Sequence, residues 1–180
     1  MKKGIVVCFP GTGYTCRERL FALCTAVYEA RGYDVIRLDY SHIPFQEIES
    51  FEEAVGIALR ASKRQLENVD FAGYEDVVWI SKSLGTICAA VAEKELGVLP
   101  RHLFLTPVEA TLGQIKPGAR VTTMVLGTTD RFLTGEKLAE FCAEHGYRYC
   151  IINGVGHNLK DERDPARTER INEQIVALCD

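Results

Sequence analysis

The sequence predicts an α/β protein: a three-layer α/β/α sandwich built on about six mostly parallel strands. Three observations point there. Short β-rich runs alternate with longer amphipathic stretches along the chain, the arrangement that gives strand–helix–strand units. The β-rich runs are continuously apolar, as strands covered on both faces are. And 180 residues supply one sizeable core but too little chain to expect two, so residues 1–180 read as a single domain.

The opening run "MKKGIVVCFPGTG" carries two lysines, but its apolar part stops at Pro10 without a signal-like core or cleavage site. Ile5–Phe9 therefore reads as the first strand. Leu20, Phe21, Cys24, Val27 and Tyr28 share one helical face, and Gly32 ends that helix. A second strand is expected over 34–39. Ile48, Phe51, Val55, Ala58, Leu59, Ser62 and Leu66 form the next helical stripe. A strand over 77–81 leads into a helix over 86–96 that Gly97 closes. Strands over 103–106 and 121–126 follow. Leu138, Phe141 and Cys142 mark a further helix, closed by Gly146, and then comes a strand over 147–152. The charged run "KDERDPARTER" bridges into the last helix and reads as a solvated face. That helix has Asp164 as N-cap, Pro165 at its first position, and Ile171, Ile175 and Leu178 as its apolar stripe.

Composition narrows the function. A net charge of −4 offers no basic footprint for nucleic acid and no polybasic membrane patch. No apolar run approaches the ~18–20 residues that span a bilayer. The seven cysteines are odd in number, form no CxxC pair and mostly sit inside apolar stripes, which fits a reduced, cytoplasmic chain. No His or Cys pair has ligand-like spacing beside a carboxylate cluster, so no metal site is expected.

In parallel α/β sheets function gathers where strands end and helices begin. "VVWISKSLGTICAA" is such a junction, and it holds two serines. A nucleophile on a tight strand-to-helix turn needs small residues two positions before and after it, because strand and helix approach closely there. Ser83 has Ser81 and Gly85 as flanks. Ser81 would have Trp79 and Ser83, and an indole does not fit. Ser83 is therefore the candidate and Ser81 its flank. A serine hydroxyl needs a positioned base. His157, in the glycine-rich loop "INGVGHNLKD" after the last strand, lies at the right sheet edge; His42, His102 and His145 do not. The base needs a carboxylate. Asp130, in "VLGTTDRF", is preferred because its strand directly precedes the one leading to His157, and Glu109 is the alternative acid. The developing oxyanion needs backbone N–H donors. Leu84 supplies one, and the loop "FPGTGYT" the other, with Thr12 the first choice and Gly11 the second.

Ser83, Asp130 and His157, in that chain order and behind that turn, resemble the α/β-hydrolase superfamily. The resemblance runs from the Pro10-Gly11 loop to the last helix, with Pro10 where members often carry histidine. It implies a minimal sheet that begins at the family's third strand. It also implies no separate lid, since only residues 107–120 are available for one, and hence a relatively open site. The implied reaction is acyl transfer to water through a Ser83 acyl-enzyme, on an ester, thioester or related small-molecule acyl substrate, with no metal or organic cofactor.

Two other readings stand beside this one. Gly11, Thr12 and Gly13 also resemble the phosphate-binding loop of flavodoxin-like proteins, which would make the chain an FMN-binding electron carrier. Alternatively the fold is that of a hydrolase without activity, retained as a binding protein.

Overall fold

The structure, a computed structural model, describes residues 1–179. Among them, six strands form one sheet: β1 (Ile5–Phe9), β2 (Asp34–Arg37), β3 (Val77–Lys82), β4 (Arg101–Leu105), β5 (Arg120–Gly127) and β6 (Tyr149–Ile152). Their order is β2-β1-β3-β4-β5-β6, and every pairing is parallel. The helices are α1 (Arg19–Glu29), α2 (Phe51–Leu66), α3 (Leu84–Leu96), the single turn α4 (Glu109–Leu112), α5 (Gly135–His145) and α6 (Pro165–Val176). No helix among the described residues is long and apolar enough to cross a membrane.

The period of two along each strand divides the core into two halves. Ile5, Val7 and Phe9 of β1 pack with Trp79, Phe104 and Met124 beneath α2, α3 and α5. Val6 and Cys8 point the other way and join Ile80, Leu105 and Val125 beneath α1 and α6. The sheet is thus the middle of three layers. The two halves explain why the central strands read as unbroken apolar runs. The outer strands depart from that expectation: Asp34 and Arg37 of β2 and Tyr149 of β6 are exposed, because an edge strand has a neighbour on one side only.

Element ends differ from the sequence pattern for local reasons. β2 stops at Arg37 because the Asp39 amide is taken by the Gln65 side chain at 2.9 Å. β4 stops at Leu105 because Thr106 turns to φ 42°. Tyr147 does not enter β6, since its N–H donates to Cys142 O at 2.8 Å and closes α5. Phe51, expected in the buried stripe of α2, is that helix's first residue and nearly half exposed, and Ile48 precedes the helix; the buried line is Ala54, Ala58, Ser62 and Leu66. Asp164 caps α6 as expected, its carboxylate accepting the Arg167 N–H at 2.9 Å.

Candidate active site

The chain leaves β1 toward β2 on one side, and β3 returns to the other side of β1. The loops after β1 and β3 therefore part and leave a crevice at the C-terminal edge, where ligands of such sheets bind. Ser83 follows β3 directly and sits at φ 55°, ψ −126°, a left-handed backbone that a non-glycine residue adopts at a cost. Its surroundings hold it there. Its N–H donates to Leu105 O at 3.1 Å, and its carbonyl accepts from the Thr86 N–H at 2.9 Å and the Thr86 hydroxyl at 2.6 Å. Close approach explains the small flanks. A Cβ on Gly85 would fall 2.7 Å from the Phe9 carbonyl carbon and closer still to the Phe9 and Pro10 oxygens. One on Gly11 would meet the Ser83 Cβ at 3.0 Å. Ser81 is fully buried and its hydroxyl has no hydrogen-bond partner among the described residues, so it fills space at the turn and does not face the crevice.

His157 lies in the loop between β6 and α6. Its Nε2 is 2.7 Å from Ser83 Oγ, and its Nδ1 is 2.7 Å from Asp130 Oδ2. An ionised carboxylate only accepts, so the arrangement assigns the proton to Nδ1 and leaves Nε2 to accept the serine O–H. The Asp130 side chain is buried, and its other oxygen accepts the Phe132 N–H at 2.8 Å. The Phe132 ring packs 4.5 Å from the imidazole. Glu109 does not reach this group. It opens α4, is exposed, and pairs with Lys137 Nζ at 2.8 Å. The other histidines lie elsewhere: His42 and His145 are exposed, and His102 is buried in β4 with Nε2 3.1 Å from Glu93 Oε2.

The amides divide differently from the sequence expectation. The Gly11 N–H donates to Tyr14 O at 3.0 Å and is spent within its own turn, so Gly11 serves as a place of close approach and not as a donor. The N–H groups of Thr12 and Leu84 have no partner among the described residues, and Leu84 is the first residue of α3, where amides point outward. The loop of Gly11, Thr12 and Gly13 does not run into a helix; α1 starts only at Arg19. The flavodoxin-like reading calls for a helix N-terminus directly after that loop, and here residues 14–18 stand between the two.

No protein-family model matches the chain. No curated protein matches it either. Solved structures do. An α/β serine hydrolase homologue from Coxiella burnetii superposes with a TM-score of 0.64 at 15% identity, over 97% of this chain and 84% of that one. A candidate hydrolase of the α/β superfamily from Xanthomonas campestris gives 0.63 at 15% identity, over 99% and 98%. Est1E from Butyrivibrio proteoclasticus, solved with ferulic acid bound, gives 0.62 at 15% identity, over 98% and 90%.

The fold is that of the α/β hydrolases.

Within this α/β-hydrolase fold the crevice is a cleft of about 530 Å³. Its walls include Thr12, Tyr14, Lys82, Ser83, Arg131 and His157. Between β4 and β5 the chain forms only the single turn α4, with no separate lid. Arg131 and Phe132 are exposed at the rim, their side chains stacked with the guanidinium 5.0 Å from the ring centre. Tyr14, Arg131 and Phe132 carry no motif, and sequence reasoning passed over them. Lys82 did leave a signal, a lone charge at the end of an apolar strand. It is 1% exposed, and burial pushes its ammonium down to about 7, against the opposing pull of the Asp130 charge.

Proposed function

We propose that the chain is a serine hydrolase of the esterase or thioesterase type, acting on a small acyl substrate from the cleft. Ser83 is the nucleophile, His157 the general base and Asp130 its orienting carboxylate. Ser83 Oγ attacks the acyl carbon as its proton passes to His157 Nε2. The negative charge on the former carbonyl oxygen falls to the Leu84 and Thr12 amides. Collapse of that intermediate expels the alcohol or thiol, which takes the proton from Nε2, and leaves Ser83 acylated. Water, deprotonated by the same nitrogen, releases the acid. The nucleophile is activated by the imidazole, so the scheme calls for neither metal nor organic cofactor. Ferulic acid, the molecule bound in the Est1E structure, is a carboxylic acid, in keeping with an acyl ligand in this fold. Residues 1–180 act here as one domain, and the odd set of singly placed cysteines favours the cytoplasm.

The observation that carries the reading is the unbroken relay Ser83 Oγ–His157 Nε2 and His157 Nδ1–Asp130 Oδ2, each link 2.7 Å. A fluorophosphonate probe tests it. Wild type and Ser81→Ala are expected to label, and Ser83→Ala is not. Labelling that survives in Ser83→Ala and disappears in Ser81→Ala would overturn the assignment.

A further inference from the structure

We infer that Lys82 is a positioning residue whose buried side chain clamps the His157 loop to the strand that carries the nucleophile. The clamp rests on the contacts of the Lys82 ammonium; its consequence for catalysis rests on the function proposed above.

Lys82 is the last residue of β3, immediately before Ser83. A lysine is almost never fully buried unless its charge has partners, and this one has three. Its ammonium donates to Thr106 Oγ1 at 2.5 Å and to the main-chain carbonyl of His157 at 2.5 Å, and it lies 4.7 Å from the centre of the Tyr14 ring. One group thereby ties the loops after β1, β4 and β6 to the end of β3. Thr106 is held at φ 42°, a costly conformation for a β-branched residue. The non-glycine residues with positive φ among those described are Ser83, Thr106 and Leu159. The first adjoins Lys82, the second accepts its hydrogen bond, and the third lies just beyond His157. Backbone strain gathers where surrounding structure over-determines a site, and here it gathers around this ammonium.

The bond to His157 O is a second link between the base and the nucleophile's strand. The first link, Ser83 Oγ to Nε2, is broken and remade as protons move. The second engages the main chain and persists through those steps. A methionine would fill the same space without the cost of a buried charge, so the donors are what lysine adds. Charged and titratable groups facing it are Asp130, Glu18 and Lys160, with the Tyr14 phenol.

The test uses the full chain as wild type, Lys82→Met and Thr106→Ala. Backbone hydrogen exchange is followed in residues 153–159, with β1 and β5 as internal reference. At pH 6, Lys82→Met is expected to exchange in 153–159 at least tenfold faster than wild type, and Thr106→Ala to change in the same direction by less. On a small ester, kcat should fall about tenfold with KM little changed, because the clamp places the base and not the substrate. Unchanged exchange in 153–159 at pH 6, or loosening spread evenly over β1 and β5, overturns the clamp. If Lys82→Met does not fold, unchanged exchange in Thr106→Ala overturns it instead. If wild type neither labels nor hydrolyses any ester while exchange in 153–159 responds, the proposed function fails and the clamp stands.

Discussion

Asp130 has no spare oxygen: one accepts the Phe132 N–H and the other the His157 Nδ1–H. That makes Asp130→Asn a sharp probe. The amide oxygen can keep the Phe132 bond, which turns its NH2 toward Nδ1. The imidazole must then accept there and carry its proton on Nε2, where it cannot take the serine proton. By analogy with other triads kcat should fall by about 10⁴, while circular dichroism stays that of wild type, since shape and volume are kept. A variant with nearly full kcat would sink the role given to Asp130. At this scale the sequence was informative where sterics decide. Trp79 ruled out Ser81 as the elbow residue, and strand ends pointed to Asp130 and His157 as neighbours of Ser83. It was silent where the answer depends on a contact distant in the chain. Strand order favoured Asp130 but left Glu109 open as the alternative, and only the packing turns Glu109 toward Lys137 and Asp130 toward the imidazole. Likewise nothing local says that the Gly11 amide is consumed by Tyr14 O.

Among elements, the decisive contact is the N-terminus of α3 against the end of β1. Gly85 allows it, with the Phe9 and Pro10 main chain where a side chain would be. Backbone cannot yield as a flexible side chain can, so Gly85→Ala should destabilise by about 1–3 kcal/mol or more, read as a lower urea midpoint. Gly13→Ala, with nothing within 4 Å of its new methyl, is the control and should leave the midpoint close to wild type. A Gly85→Ala midpoint equal to that of the control would contradict the close approach. Periodicity located the helices and the central strands because burial on a face repeats along the chain. It could not see which strands lie at the edges, and so overstated the cover on β2 and β6. Nor could it see Thr106 leave β4 through a strained turn.

For the whole molecule, the alternation of strands and helices made the three-layer class readable, but not the strand order, which depends on where each crossover returns. The buried lysine gives the molecule a titration of its own. Its pKa falls from 10.5 to about 7 on folding. Between those values the unfolded chain holds a proton that the folded chain has lost, so this group makes stability rise with pH across that window, while below it the cost of the buried charge is constant and present in full. Buried thiols, pushed up in Cys8, Cys24 and Cys88, act in the opposite sense at higher pH. The difference between wild type and Lys82→Met isolates the lysine. From pH 7 to 9 wild type should gain on the variant by up to about 1.4 kcal/mol per pH unit, measured by urea unfolding; a flat difference would mean the lysine keeps its proton. The strand order has a further consequence, for how the chain acquires its working parts. The turn that carries Ser83 arises in the first half of the polypeptide and His157 near its end, and β1 must wait for β3 before it has both neighbours. Contacts so distant in the chain form slowly. A nascent chain still lacking β6 holds the Ser83 turn without His157, so under the function proposed above it stays chemically silent until its last stretch of sheet has closed.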